Sequence, residues 1–135
     1  APPDAAAPEE APEPLDDDVM RMLTFCRHGR VRDVEDMIEA GMDLNVRDEN
    51  GNTPLIVAVQ TDQRRVVRLL LEYHADPNAQ NKRGQTALHY AMKYAFDETS
   101  ALLLSGGADD TIANMEGLTP YEGLTLADLE AFEGD

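Results

Sequence analysis

The sequence has no Trp, a single Cys and only seven aromatic residues, three Phe and four Tyr. Any core must therefore be assembled from Leu, Val, Ile, Met and Ala. The lone thiol of Cys26 excludes an internal disulfide. It fits a reducing, intracellular setting, either the cytoplasm or an organelle entered through a removable targeting peptide. No apolar run approaches the ~18 residues that a membrane-spanning helix needs, so no membrane insertion is expected. Bases are scarce as well, 11 Lys and Arg against 27 Asp and Glu, for a net charge of −16. A chain so acidic repels phosphate backbones, which argues against nucleic acid as a partner. The length, 135 residues, is one domain's worth.

The bases that exist lie only between Arg21 and Lys93. Residues 1–18 carry seven acids and no base, residues 114–135 carry six acids and no base, and residues 19–113 are nearly balanced at −3. Residues 1–14 contain only Ala, Pro, Glu and Asp, with nothing apolar larger than Ala or Pro. Such a segment cannot bury enough surface to offset its ordering entropy and is expected to be a disordered acidic tail. Lacking a basic start and an apolar stretch, it is not read as a secretory signal.

The central region repeats itself. Gly51-Asn52-Thr53-Pro54-Leu55 recurs as Gly84-Gln85-Thr86-Ala87-Leu88 and as Gly117-Leu118-Thr119-Pro120-Tyr121, each 33 residues after the last. The same step joins Gly41, His74 and Gly107, and the acids Asp43, Asp76 and Asp109. Thr53-Pro54 and Thr119-Pro120 read as helix starts, because Thr caps free amides and Pro at the first helical position needs no partner. Leu55, Ala58 and Val59 follow at helical spacing, and so do Leu88, Ala91 and Met92. A second helical stretch follows in each unit, around Val66 to Leu71 and Ala101 to Leu104. Gly41 and Gly107 terminate these helices through a left-handed residue, a place taken by His74 in the middle unit. Each unit is thus turn, helix, short loop, helix.

On these residues the chain resembles the ankyrin-repeat family. The similarity is carried by Asn50 to Leu55, Val66 to Leu71, Ala75-Asp76-Pro77-Asn78-Ala79, Gly84 to Ala91 and Leu102 to Asp109, and it extends over residues 15–132. It implies an all-α solenoid of about four helix-loop-helix units with short turn or hairpin fingers. The units fall near residues 15–47, 48–80, 81–113 and 114–135. Residues 15–23 lack the Thr-Pro-Leu-His opening, as a capping first repeat does. The last unit departs from the family's pattern after Leu124. There Leu124, Leu126, Leu129 and Phe132 read as a truncated helix covering the apolar end, in preference to an acidic docking motif.

Catalytic chemistry finds little support. His28, His74 and His89 fall at different points of the repeat, so no metal-ligand spacing emerges. By resemblance His89 is the structural histidine of the Thr-Pro-Leu-His tetrapeptide, making a hydrogen bond between repeats. Cys26 aligns with Val59 and Met92, a packed position, so a buried inert thiol is expected. Gly106-Gly107 lacks the surroundings of a phosphate loop, and the acids do not have calcium-loop spacing. No enzyme activity, cofactor or metal is expected.

What the resemblance does imply is a binding surface, the concave groove formed by the fingers and the exposed side of each first helix. Mapped onto this chain, it comprises Arg27 and His28; Arg47, Glu49, Asn50, Asn52, Gln60 and Thr61; Gln80, Lys82, Arg83, Gln85, Lys93 and Tyr94; and Ala113, Met115, Glu116 and Leu118. Five bases against Glu49 and Glu116 give these 18 positions a net of +3 within a −16 chain. Either this is ordinary solubilising charge or the groove is built for an acidic partner. The expected function is protein–protein interaction through this groove, with an acidic protein or peptide segment as partner. The alternative is a structural accessory subunit of a larger assembly. The acidic tail is further expected to lie transiently over Arg47, Lys82, Arg83 and Lys93 and compete with that partner.

Overall fold

The computed structural model describes residues 17–122. Thr53 and Thr86 hold extended backbone, and their hydroxyls accept the amides of Ile56 (3.2 Å) and His89 (3.3 Å). Those caps start two of the six helices among the described residues: α1 (Asp17–Arg27), α2 (Val31–Glu39), α3 (Pro54–Gln60), α4 (Arg64–Glu72), α5 (Ala87–Lys93) and α6 (Asp97–Ser105). Among the described residues there is no strand. None of these helices is long and apolar enough to cross a membrane.

Consecutive helices pack as pairs, and the pairs stack. The first helices α1, α3 and α5 contact one another in order, as do the second helices α2, α4 and α6. The core lies between the two rows. Met22, Leu55 and Leu88, one period apart, form its spine and are almost wholly buried, with Val34, Leu70 and Leu103 facing them from the second row. Removing one such side chain, as in Leu88→Ala, costs about 2–5 kcal/mol in a core of this kind. Ala58 and Ala91 are also completely buried. Their small size lets successive first helices approach closely.

The chain reverses at left-handed residues. Gly41, His74 and Gly107 have φ of 101°, 68° and 99° at the ends of the second helices, as the sequence implies, His74 included. A second series was not legible in the sequence. Gly29, Asp62 and Ala95, again one period apart, take φ of 71°, 52° and 59° between the helices of each pair. Asp62 offsets part of the cost by accepting the Thr99 hydroxyl at 2.7 Å.

Beyond the third pair, Thr119 begins a further turn. Its amide and hydroxyl both donate to the Glu122 carboxylate at 3.2 Å, and the Glu122 amide donates to the Thr119 carbonyl. The acidic tail over residues 1–14, with its expected competition at the groove, and the expected terminal helix through Leu124, Leu126, Leu129 and Phe132 lie outside the described residues.

Candidate functional site: the concave groove

The fingers are built from one hydrogen-bonding scheme used three times. Asp48, Asn81 and Asn114 each begin a finger, and a side-chain oxygen of each accepts the amides two and four residues on. Asp48 takes Asn50 and Asn52, Asn81 takes Arg83 and Gln85, and Asn114 takes Glu116 and Leu118, all at 2.8–3.0 Å. The glycine within each finger has φ between 77° and 80°. A Cβ on Gly51 would lie 3.0 Å from the Lys82 amide, and one on Gly84 only 2.6 Å from the Met115 amide. The next finger passes that close, so the glycine is required twice, for its φ and for its missing side chain.

Neighbouring fingers are then sewn together. The Lys82 amide donates to the Asn50 carbonyl and the Met115 amide to the Arg83 carbonyl, both at 3.0 Å. Arg47 donates to the carbonyls of Gly51 (3.1 Å) and Gln80 (2.7 Å). One period later Gln80 repeats the arrangement, donating to Gly84 (2.8 Å) and Ala113 (3.0 Å). Asn81 donates to the Asn52 side chain and Asn114 to that of Gln85. Of the predicted surface residues, therefore, Arg47, Asn52, Gln80 and Gln85 spend polar atoms on holding the fingers in line.

His89 joins the fingers to the helices. Its Nδ1 accepts the Thr86 amide at 3.1 Å, completing a capping box, and its Nε2 faces the Leu118 carbonyl at 2.9 Å. A carbonyl can only accept, so Nε2 carries the proton and the ring is neutral. Burial lowers its pKa, and the Leu118 carbonyl opposes this only in part. The resemblance-derived bond between repeats is thus present. Cys26 is buried in the core. Burial pushes its thiol up to about 12, against a smaller lowering by Arg27, which leaves it protonated and inert. Among the described residues, no group of three or more His, Cys, Asp or Glu could hold a metal.

Between the first and second of these fingers a cavity of about 350 Å³ opens beside the first helices. It is lined by Asn50, Asn52, Gln60, Lys82, Arg83 and Tyr94, all expected from the sequence, together with Asn81 and Tyr90, which were not. Tyr90 stacks on Tyr94 with centroids 6.2 Å apart, and Tyr94 meets Phe96 at 5.6 Å. Three of the chain's seven aromatic residues thus cluster, and two of them, Tyr90 and Tyr94, line the cavity. Asn81 fixes the Tyr90 hydroxyl at 2.8 Å. Lys82 and Arg83 stand exposed at the rim and make no ion pair among the described residues. Arg27, His28, Glu49, Lys93 and Met115 do not line the cavity. Of these, Met115 is 75% exposed on the next finger, and Arg27 and His28 are exposed at the end of α1. The missed pair left faint signals: Asn81 is one period from Asp48 and Asn114, and Tyr90 is one helical turn before Tyr94.

Stacked helix pairs joined through sewn fingers define a repeat-built, all-α fold. The chain belongs to the ankyrin-repeat family, whose model, described as ankyrin repeats (3 copies), matches residues 21–114. Ankyrin repeats generally mediate protein–protein interactions, and the family is typically non-enzymatic. No curated protein matches the chain.

Proposed function

We propose that this protein is a recognition module that holds an acidic segment of a partner protein in its concave groove, across the first and second of the three fingers. The observation that carries this reading is the cavity between those fingers. A fixed aromatic wall of Tyr90 and Tyr94 stands beside Lys82 and Arg83, which have no ion-pair partner among the described residues. Aromatic residues supply contact area at low entropic cost, and basic groups at the rim steer an acidic partner. Arg47 spends its Nη1 donors on the Gly51 and Gln80 carbonyls, which anchors it to the fingers beside the cavity.

A photoreactive side chain placed at Tyr94 tests the proposal in the cell of origin. The expected result is one dominant cross-linked protein, lost when Lys82→Glu and Arg83→Glu are combined and retained when Arg27→Glu is made. Cross-linking that is indifferent to the Lys82 and Arg83 changes would overturn the reading.

A further inference from the structure

The outer row of helices carries a second cationic site, on the face opposite the groove. Its origin is local. The N-terminal end of a helix carries partial positive charge and favours acids, which α2 supplies with Asp33 and α6 with Asp97 and Glu98. Helix α4 instead begins Arg64-Arg65 and has no acid in its first turn. Helix formation does not ask for these arginines; it works against them. Arg64 is relieved by pairing with Glu98 of α6. Arg65 and Arg68 make no ion pair among the described residues, and both are exposed.

These arginines share one face. Positions 64, 65 and 68 lie within a single helical turn and line a cleft of about 490 Å³ between α4 and α6. The opposite wall is Ala101, Leu102 and Ser105 of α6, small or apolar residues where α2, two periods earlier, has Glu35 and Glu39. The cleft thus presents two unpaired guanidinium groups beside an uncharged shelf. Acids bracket it: Glu98 lies at one end, and Glu72 follows Arg68 by one turn at the other. The corresponding cleft edge between α2 and α4 differs, since there Tyr73 donates to both Glu35 and Glu39.

We infer that this convex cleft is a second docking site, for an acidic amphipathic helix of a partner protein. Two carboxylates one turn apart on that helix meet Arg65 and Arg68, and an apolar residue beside them rests on Ala101 and Leu102. The fit is of charge and spacing: two cations three positions apart on α4 match acids three or four apart on an aligned helix. The bracketing acids limit the occupant's register to about one turn. The apolar shelf distinguishes this occupant from a free inorganic anion. The site rests on residues other than those of the concave groove, so either proposal can fail alone.

The probe is a fluorescein-labelled peptide of about four helical turns made of Glu, Leu and Ala, with Glu pairs one turn apart and Leu alongside. Binding to the whole chain is read by anisotropy at low salt. Combining Arg65→Glu with Arg68→Glu is expected to weaken binding about tenfold or more. Ala101→Glu, which places an acid on the shelf without touching the arginines, should weaken it comparably. Lys82→Glu with Arg83→Glu should leave at least part of the binding intact. Unchanged circular dichroism checks that each variant is folded.

Loss of binding only in the Lys82 and Arg83 variant would overturn the site. Equal binding of a peptide with Ser for Leu, displaced by millimolar inorganic phosphate, would show a simple anion site and also overturn it. So would binding that appears only after residues 123–135 are removed, since the chain's own end would then be the occupant.

Discussion

The finger side and the outer-helix side of this stack obey different rules. On the finger side the same contacts recur every period: Asp48, Asn81 and Asn114 gather their amides alike, and Arg47 and Gln80 sew adjacent fingers alike. On the outer side the corresponding positions change character, from Glu35 to Arg68 to Ala101. The finger contacts are short-range and geometrically demanding, so each repeat must solve the same problem in the same way. An outer helix need only bury one stripe, such as Val66, Val67, Leu69 and Leu70, and the other face is left open to other uses. Repetition marks what holds the fold; departure from it marks where chemistry has been added.

That contrast can be broken most severely at Gly84. Gly84→Ala adds a Cβ 2.6 Å from backbone and forces Ala to a φ of +77°, so a loss of about 3 kcal/mol or more is expected in denaturant unfolding. Gly117→Ala meets no atom within 4 Å and should cost only the left-handed strain, about 1–2 kcal/mol. Equal losses would show that finger approach is not what requires the glycine.

Asn81→Ala should follow at about 2–3 kcal/mol, because the amides of Arg83 and Gln85 lose their acceptor and Tyr90 its buried donor. Tyr fluorescence would report the freed ring.

Ala95→Gly acts with the opposite sign. Its φ of 59° is strained for Ala, and Gly should stabilise the chain by up to about 1 kcal/mol, visible as a raised melting temperature.

Smaller still is a pH effect at His89. The folded ring has a pKa below its ordinary value of 6.5, so the unfolded chain binds a proton that the folded one does not. Its contribution is whole above pH 6.5, falls as pH drops toward the folded pKa, and levels off below that. Comparison of unfolding free energies with those of His89→Gln isolates the effect, since the variant should lack this limb.

At the bottom of the scale, Arg65→Ala and Arg68→Ala on the outer face should change stability by no more than about 0.5 kcal/mol. A larger loss would mean that the outer face, too, holds the fold.

The sequence by itself determined the 33-residue period, the helix start at Thr53, the left-handed place of His74 and the burial of Cys26. Each depends on local backbone chemistry or on apolar spacing, which a chain expresses wherever it folds. Its resemblance to the ankyrin-repeat family also pointed to six of the eight residues that line the cavity. The left-handed run at Gly29, Asp62 and Ala95 escaped it, since three unlike residues fill one conformation and only Gly announces itself. The commitment of Arg47 and Gln80 to carbonyls one period away escaped it too, because an exposed polar side chain looks the same whether it meets water or the next finger. The cleft of Arg65 and Arg68 against Ala101 and Leu102 was decided only by the tertiary structure. On α4 alone the arginines read as a solvated face, and stacking α6 beside α4 is what makes that face one wall of a site.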